Sequence, residues 1–455
     1  MKRKVAIITL GCPKNQVDSE VLAGELRRHG AVLTADPEKA DDICINTCGF
    51  IREAKQESID AILEAVRIRD KAGRSRAVRP RVVVWGCLSE RYRDALPLEI
   101  PEADAYFGVE PFRALGRYII GTRYRWSEAG RCGRVLSTPP HTAYLKIADG
   151  CDHACSFCAI PLFKGKYRSR PQAGLVREAE SLAARGVKEL ILIAQDTTAY
   201  GRDLGGKASL ARLLKRLVRI EGIEWIRILY GHPAHVDDAL IDAMAAEPKV
   251  CKYLDLPLQH ISDPLLKAMG RGMTKADVIR LIENLRALVP GLTLRTAFIT
   301  GFPGETETRF EELARFVREV RFERMGVFTF SLEEGTRAFA LRPAVPSATA
   351  KRRARVLMRI QKSLSAEYHR SLEGKVIPVL VDGTDRRRRL CVGRTPGDAP
   401  EIDATVWVRG KAGPGRIVPV RIDGSSAYDL TGTVVPPAAG RPRRKHRRSD
   451  PAGRD

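Results

Sequence analysis

Short runs rich in β-branched residues alternate with helical stretches along most of this chain, and this alternation limits the folds open to it. Before about residue 120 the runs are KVAIITL (4–10), DDICINT (41–47) and RVVVWG (81–86). Helical segments such as DSEVLAGELRRHG, which ends at Gly30, lie between them. Such alternation predicts a parallel, doubly wound sheet. We therefore expect an N-terminal α/β domain over residues 1–120.

A second alternation begins after a Gly- and Arg-rich stretch near residues 121–138. Its six candidate strands are AYLKIADG (143–150), KELILIAQDT (188–197), WIRILYG (225–231), YLDLPLQ (253–259), LTLRTAFITGF (292–302) and ERMGVFTFS (323–331). Six strand–helix units predict an open or partial (β/α) barrel rather than a complete eightfold one. We assign this barrel to residues 137–369, including a basic helix, AKRRARVLMRIQKSL, whose apolar face is expected to pack on it.

The pattern changes again at residue 371. Five short runs with Gly and Pro turns follow, KVIPVLVDG, RRLCVGRTP, ATVWVRG, GRIVPVRIDG and YDLTGTVV. They predict a small OB-like β-barrel over residues 371–437, a recurrent binding module. Residues 438–455 are basic and low in apolar side chains, so we expect a disordered tail. Such a tail either keeps the chain in solution or contacts nucleic acid or a particle made of it.

The whole chain carries a formal net charge of +23, which suggests the neighbourhood of RNA but names no substrate. The N-terminal apolar run is too short for a cleavable signal peptide, and no apolar run is long enough to span a bilayer. We therefore expect a cytoplasmic protein without membrane contact. Its ten cysteines favour metal or redox use over disulfides in that compartment.

Three of the cysteines, Cys151, Cys155 and Cys158, have the spacing CxxxCxxC directly after the first barrel strand. No fourth cysteine accompanies them, although a closed zinc site or an ordinary ferredoxin cluster takes four protein ligands. Loops at this face of a barrel carry the chemistry of such folds. The missing ligand therefore indicates an open coordination position at which a substrate binds.

Three further cysteines, Cys12, Cys48 and Cys87, each stand just past the C-terminal end of a predicted strand. Those ends share one edge of a parallel sheet, where such folds bind ligands, so we expect the three thiols to converge. Each set of three thiolates could hold a four-iron cluster through three of its irons. The remaining four cysteines, Cys44, Cys132, Cys251 and Cys391, are expected to be buried or incidental. Among the histidines, His153 is expected to face solvent, and His232, His235 and His260 to be satisfied loop residues.

CxxxCxxC after a first barrel strand resembles the motif of the radical S-adenosylmethionine (SAM) enzymes. With three cysteines ahead of it and a small β-barrel behind, the chain to about residue 437 resembles a methylthiotransferase of that superfamily. The resemblance implies two [4Fe–4S] clusters, with SAM bound at the open iron of the CxxxCxxC cluster. One electron from a reducing donor protein would cleave SAM to methionine and a 5′-deoxyadenosyl radical, which abstracts hydrogen from an unactivated carbon. The second cluster, on Cys12, Cys48 and Cys87, would carry the sulfur to be inserted.

The resemblance also suggests six residues that contact SAM, which are Phe157, Gln195, Asp196, Gly301, Gly304 and Glu305. The first stands where the family places an aromatic residue near the adenine. The last three lie in ITGFPGET, which resembles the family's glycine-rich SAM loop, and AQDTTAYG carries the other two at the same face of the barrel. Taken alone, these segments are equally compatible with turns and helix caps.

The two main bacterial branches of the family modify a tRNA adenosine next to the anticodon, or an aspartate of the small-subunit ribosomal protein twelve. The segments LGCPKNQVDSE (10–20), NTCGFIREAKQESID (46–60), IAQDTTAYGRD (193–203) and LPLQHIS (256–262) resemble the ribosomal-protein branch. The resemblance therefore implies methylthio transfer to the β-carbon of that aspartate, on the free protein or on the ribosome. The same chemistry on tRNA stays open, and so does a metal-stabilised RNA-binding module without catalysis.

Overall fold

The computed structural model describes residues 2–73, 79–110, 112–205 and 208–436. Within these ranges the chain forms a five-stranded sheet, a six-stranded sheet and a closed five-stranded barrel, in that order along the sequence. The predicted fold class, two parallel α/β units followed by a small OB-like barrel, is confirmed. The basic tail, residues 438–455, lies outside the described residues.

The N-terminal sheet is parallel throughout and has the order β2-β1-β3-β4-β5. Its strands are β1 (Lys4–Thr9), β2 (Val32–Leu33), β3 (Asp42–Thr47), β4 (Arg81–Gly86) and β5 (Ala105–Tyr106). Its helices are α1 (Pro13–Arg28), α2 (Arg52–Gly73), α3 (Cys87–Arg91), α4 (Leu96–Glu99) and α5 (Phe112–Ile120), with a 3₁₀ turn at Pro37–Lys39. All residues of β3 are buried, as a strand covered by helices on both faces requires. The edge strands β2 and β5 were not predicted, because two residues show no β pattern.

The central sheet is also parallel and has the order β13-β12-β11-β10-β9-β6. Its strands are β6 (Thr142–Lys146), β9 (Glu189–Ile193), β10 (Trp225–Ile228), β11 (Val250–Asp255), β12 (Thr293–Thr300) and β13 (Arg324–Thr329), and β7 (Ala148–Asp149) pairs with β8 (Arg168–Ser169) beside it. The helices are α6 (Ile160–Lys164), α7 (Gln172–Ala184), α8 (Leu210–Leu217), α9 (Asp238–Ala246), α10 (Asp263–Met269), α11 (Lys275–Leu288), α12 (Glu307–Val320) and α13 (Ser347–Arg370), with 3₁₀ turns at Glu128–Gly133, Pro233–His235 and Arg337–Ala340. The basic helix α13 packs on this sheet through buried Leu357 and Leu364, as expected.

The C-terminal barrel closes in the order β14-β15-β16-β18-β17. Its strands are β14 (Val376–Asp385), β15 (Leu390–Arg394), β16 (Thr405–Arg409), β17 (Ile417–Ser425) and β18 (Asp429–Val434). The barrel docks at the N-terminal ends of the central strands through buried ion pairs. Arg394 lies 2.7 Å from Glu189, at the start of β9, and Arg324, at the start of β13, lies 2.5 Å from Asp398. The opposite, C-terminal ends of the central strands carry the loops of the candidate site.

The stretch near residues 121–138 is a well-packed connection between the first two sheets. Arg134 is fully buried there and forms ion pairs with Glu20 on α1 at 2.5 Å and with Glu178 on α7 at 3.1 Å. A Cβ atom at Gly24 of α1 would lie 2.6 Å from the Gly133 carbonyl oxygen, so glycine lets this segment cross the helix closely. The connection therefore fixes α1, which begins beside one set of cysteines, against the central barrel.

Candidate active site: two cysteine triads

Cys12, Cys48 and Cys87 lie together at the C-terminal ends of β1, β3 and β4. Cys12 is the N-cap residue of α1, Cys48 directly follows β3, and Cys87 begins α3. The parallel register aligns the three strand ends, and each thiol interacts electrostatically with the other two. The cap position of Cys12 makes no side-chain hydrogen bond to the helix, which leaves its sulfur available to a ligand. We call these three residues the auxiliary triad.

Asn15, in the first turn of α1, ties together the loops that carry the auxiliary triad. Its Nδ2 donates to the carbonyl oxygens of Leu10 at 3.0 Å and Thr47 at 3.1 Å. Its Oδ1 accepts a hydrogen bond from Cys87 Sγ at 3.6 Å. Asn46 donates in return to the Asn15 carbonyl oxygen at 2.9 Å. One buried amide thus fixes three chain segments that are far apart in sequence.

Cys151, Cys155 and Cys158 lie in the single loop between β7 and α6, and we call them the radical triad. The Cys158 N–H donates to the Cys155 carbonyl oxygen at 3.3 Å, which closes the loop on itself. Arg271 Nη1 donates to Cys155 Sγ at 3.4 Å. Electrostatic interactions join Cys158 to both other thiols. The loop therefore gathers three sulfurs beside one guanidinium.

A glycine with positive φ precedes three of the six triad cysteines. These are Gly11, Gly86 and Gly150, with φ of +89°, +102° and +77°. A Cβ atom at Gly86 would lie 2.4 Å from Asn46 Oδ1, and one at Gly150 would lie 2.0 Å from the Lys166 carbonyl oxygen. The left-handed conformation and the close approach both require glycine. The chain thus turns sharply into the cysteine in each case.

The donor sets suit iron–sulfur clusters. Burial raises the pKa of Cys158 and Cys87 to about 12 and that of Cys151 to about 11, so without a metal these groups stay protonated thiols and metal binding must displace the protons. Three soft sulfur donors without a fourth are compatible with a four-iron cluster that keeps one iron open. Three of the other cysteines, Cys44, Cys251 and Cys391, are buried in hydrophobic cores.

The segments that carry the two triads meet at the contact between the N-terminal sheet and the barrel. Cys87 packs in one small apolar cluster with Ala159, the residue after Cys158, and with Phe163 of α6. A buried carboxylate fastens the same contact, since Glu333 lies 3.0 Å from both Lys55 on α2 and Arg91 on α3. The segments that carry the two triads are therefore packed against each other.

Gln195 and Asp196 lie beside the radical triad. Gln195 Nε2 donates to Asp149 Oδ1 at 3.1 Å, two residues before Cys151. Gln195 Oε1 is buried and has no hydrogen-bond partner among the described residues, so it is an acceptor suited to the amino group of a ligand such as SAM. Phe157, in the triad loop, is partly buried against Phe302, directly after Gly301.

Glu305 is committed to the loop it belongs to. It is buried, and its Oε2 accepts hydrogen bonds from the Gly301 N–H at 2.6 Å and from Arg353 at 2.8 Å. Gly301 and Gly304 have φ of +82° and +86°. The geometry indicates that Glu305 shapes the glycine-rich loop.

A group of three histidines around Asp196 was not expected from the sequence. His153 Nε2 and His235 Nδ1 both donate to Asp196 Oδ2, at 2.7 and 2.6 Å, and the His232 ring stacks on that of His153 at 3.8 Å. The expectation that His153 faces solvent is therefore wrong, because its loop folds back onto the strand end that carries Asp196. Burial opposes ionisation of Asp196, but the hydrogen bonds from His153, His235 and Thr198 outweigh it and lower the pKa of this carboxyl. The group pins the radical-triad loop to the end of β9.

Buried lysines between the triads also escaped sequence reasoning. Lys164 of α6 lies 3.7 Å from Asp18 of α1 and 3.6 Å from Asp149. Lys146 pairs with the same two carboxylates. Lys14, next but one to Cys12, reaches the barrel at Tyr230. No local pattern predicts the contacts of Lys146 and Lys164 with Asp18 or of Lys14 with Tyr230, because each joins residues more than a hundred positions apart.

Three family models match this chain. The radical SAM superfamily matches residues 145–317, the uncharacterized protein family UPF0004 matches residues 4–108, and the TRAM domain matches residues 374–435. The first two matches contain the radical triad and the auxiliary triad, respectively, and the third spans the small barrel.

Curated relatives match over nearly the full length. The ribosomal protein uS12 methylthiotransferase RimO of Anaeromyxobacter sp. (strain K) is 46% identical over 465 residues, which cover 99% of this chain and 98% of the relative. The protein of the same name from Geotalea uraniireducens (strain Rf4) is 46% identical over 451 residues, which cover 96% of this chain and 99% of the relative.

Solved structures show the same fold at low sequence identity. The radical S-adenosylmethionine methyltransferase TsrM from Kitasatospora setae, bound to tryptophan and a SAM analogue, has a TM-score of 0.53 at 17% identity, covering 84% of this chain and 79% of that one. Among the helices of the described ranges, none combines the length and apolarity needed to cross a bilayer.

The curated relatives decide the assignment, because they are 46% identical to this chain over nearly its whole length. This chain belongs to the RimO family of ribosomal protein uS12 methylthiotransferases.

Proposed function

We propose that this chain transfers a methylthio group to the β-carbon of an aspartate in ribosomal protein uS12, and that it uses two iron–sulfur clusters to do so. Its class, a radical SAM uS12 methylthiotransferase, follows from its relatives, and an iron–sulfur cluster and SAM follow from that class. These relatives do not favour the tRNA alternative. The observation that carries the two-cluster proposal is the pair of three-thiol sets, each grouped by itself, on segments that pack against each other.

Each triad would hold one cluster. Cys151, Cys155 and Cys158 would bind the cluster that supplies reductive cleavage of SAM and hence the radical chemistry. Cys12, Cys48 and Cys87 would bind the cluster from which the sulfur is delivered. Because each triad leaves one position without a protein ligand, each cluster could accept a further ligand there.

The chain's own residues would position SAM and keep the reacting space closed. Gln195 offers a buried hydrogen-bond acceptor, and Phe157 offers an aromatic face. The loop of Gly301 and Gly304 lets the backbone approach SAM closely, and Glu305 supports that loop from within. We propose that Asp196 acts through His153 and His235, which hold the triad loop at the strand end. Apolar packing of Cys87 on Ala159 and Phe163 would exclude water where a radical must be protected.

We propose domain boundaries at residues 1–120, 137–369 and 371–437. A reducing protein would supply the electron, and a cytoplasmic reaction is proposed because the substrate is ribosomal. The tail, residues 438–455, would contact ribosomal RNA on an assembled particle. Residues 441–455 carry seven Lys or Arg against two Asp, so this contact should weaken steeply with salt.

The test is to incubate the reconstituted enzyme with uS12, SAM, sulfide and reductant without oxygen. Mass spectrometry should find a gain of about 46 Da on one aspartate, since a methylthio group replaces one hydrogen. Chemical analysis should find about eight irons per chain. Modification of tRNA instead of uS12, or iron for one cluster only, would contradict the proposal.

A further inference from the structure

We propose that the ammonium group of Lys14 binds the carboxylate of the substrate aspartate and so selects an acidic residue at the space between the two triads. This inference rests on the proposed function, because it names the group that the same site recognises.

Lys14 differs from the other buried lysines of the site in having no charged partner. Its side chain is largely buried, with 8% of the residue exposed. Its Nζ forms no hydrogen bond or ion pair with any of the described residues, and it lies over the ring of Tyr230, 3.4 Å from the ring centroid. Lys146 and Lys164 each reach two carboxylates. A buried ammonium without an anion is costly, so the position indicates an anion that arrives from outside.

Three groups of the chain that can carry negative charge lie within electrostatic range of Lys14, namely Cys12, Asp255 and Asp149. Cys12 is a ligand in the proposed auxiliary cluster, and both carboxylates are already committed. Asp255 accepts the Tyr230 N–H at 3.0 Å and pairs with Arg295 at 3.1 Å. Asp149 pairs with Lys146 at 2.7 Å and accepts from Gln195. Neither carboxylate lies within 4.0 Å of Lys14 Nζ, so Lys14 stays unpaired beside them.

The position of Lys14 connects the two halves of the site. It is the second residue of α1, two positions after Cys12 of the auxiliary triad. Tyr230 follows the C-terminal end of β10 in the barrel, with a strained φ of +60°, and interacts electrostatically with Cys12. The ammonium therefore lies beside the auxiliary triad, where α1 meets the barrel, and we place the substrate side chain there. The Tyr230 ring holds it there by a cation–π contact, which leaves its three N–H donors for the substrate.

A carboxylate receptor at this place would also fix the reacting atom. The β-carbon of an aspartate is bonded directly to its carboxylate carbon. A charge-assisted hydrogen bond of about 2.8 Å to the carboxylate therefore holds the β-carbon within about 5 Å of Lys14 Nζ. Holding the reacting carbon in one place is what proximity catalysis requires. An asparagine of the same shape would lack the charge and bind less tightly.

A different role for Lys14 is to offset the negative charge of a cluster on the auxiliary triad. In that role its loss would affect an aspartate substrate and an asparagine substrate equally. The two roles are separated by measuring binding of uS12 in which the modified aspartate, once located by mass spectrometry, is present or replaced by Asn.

Binding of fluorescently labelled uS12 to reconstituted holoenzyme is measured by anisotropy without reductant, so that no turnover occurs. We expect the wild-type enzyme to bind the Asp form at least about 10-fold more tightly than the Asn form, as a charge-assisted hydrogen bond implies. Lys14→Met should abolish this difference and Lys14→Arg should keep part of it. Lys39→Met, which removes an exposed lysine paired with Asp36, should leave the difference intact.

Lys14→Gln is measured in parallel, so that a loss of iron or of folding in Lys14→Met leaves a second neutral variant to compare. An Asp–Asn difference of wild-type size in either folded neutral variant would overturn the proposal, as would the absence of any difference in the wild-type enzyme. Failure of the wild-type enzyme to add about 46 Da to uS12 would instead contradict the proposed function, and the two failures are therefore distinguishable.

Discussion

The two cysteine triads are built in opposite ways. The radical triad lies in eight consecutive residues of one loop, so its geometry depends mainly on local backbone bonds such as that from Cys158 to Cys155. The auxiliary triad comes from three strand ends separated by tens of residues, and it exists only while the parallel register of β1, β3 and β4 is kept. We therefore expect the geometry of the radical triad to tolerate changes elsewhere in the fold. The geometry of the auxiliary triad should be lost whenever the pairing of β1, β3 and β4 is disturbed.

The surroundings of the triads differ in the same sense. All three radical-triad cysteines are partly exposed, whereas Cys48 and Cys87 of the auxiliary triad are buried. The Asn15 amide ties together the loops of the auxiliary triad, and Cys87 packs against Phe163 of α6. The radical triad lies in a loop at the mouth of the barrel. This contrast is the one expected if the radical triad admits SAM.

The largest expected effect is removal of the local triad. In Cys151→Ala/Cys155→Ala/Cys158→Ala, iron should fall from about eight to about four per chain, because the auxiliary triad is assembled independently. Production of 5′-deoxyadenosine and of methylthiolated uS12 should both cease. Undiminished 5′-deoxyadenosine in this variant would show that the radical cluster is held elsewhere.

The next largest effect is expected from a comparison of Cys48, which directly follows β3, with Cys44, which lies within that strand. Cys48→Ser should lower methylthiolated product at least about 100-fold, because loss of a ligand exceeds the 10- to 100-fold cost of losing a residue behind one. Cys44→Ser should keep most of the product, since Cys44 is buried in the sheet core. Product formation and 5′-deoxyadenosine are measured side by side. The reverse order of the two variants would mean that the wrong thiol was assigned.

The glycines that precede the cysteines offer a finer comparison. A side chain at φ near +100° costs about 1–2 kcal/mol, and in Gly86→Ala the new Cβ would also meet Asn46 Oδ1 at 2.4 Å. Gly86→Ala should therefore lose auxiliary iron and keep SAM cleavage, whereas Gly150→Ala should lose the radical cluster and keep auxiliary iron. Gly30→Ala is the matched control, because φ is +89° there and no atom lies within 4 Å of the added Cβ. Equal iron content in all three variants would contradict the account.

The smallest expected effect concerns the contact that joins the triads. Glu333→Gln removes the anion that Arg91 and Lys55 share, and the side chains of these two residues are 4% and 18% exposed. Loss of this shared anion should weaken the contact. We expect both clusters to stay and the yield of product per 5′-deoxyadenosine to fall. Glu64→Gln, in an exposed pair with Arg67 on α2, should change that ratio little, because exposed pairs contribute about 0–1 kcal/mol. An unchanged ratio in Glu333→Gln would show that this contact does not align the triads.

The sequence predicted the parts of the site that depend on one strand end or one loop. Strand–helix alternation placed the cysteines at the carboxyl edge of a parallel sheet, and the structure brings Cys12, Cys48 and Cys87 together there; their role as ligands stays a prediction. Sequence reasoning did not find Lys14 against Tyr230, His153 against Asp196, or Arg134 between Glu20 and Glu178. Each of these contacts depends on how separate elements pack. Until that packing is known, a single lysine or arginine in a helix or loop is predicted to lie on the solvent-exposed surface.

The central claim is that the two triads hold separate clusters with separate tasks. Its most direct test is the variant Cys12→Ala/Cys48→Ala/Cys87→Ala, assayed for iron, 5′-deoxyadenosine and methylthiolated uS12 in one anaerobic reaction. We predict about four irons per chain, continued SAM cleavage and no gain of about 46 Da on uS12. Methylthiolated uS12 from this variant, or loss of SAM cleavage in a chain that still holds about four irons, would contradict the account.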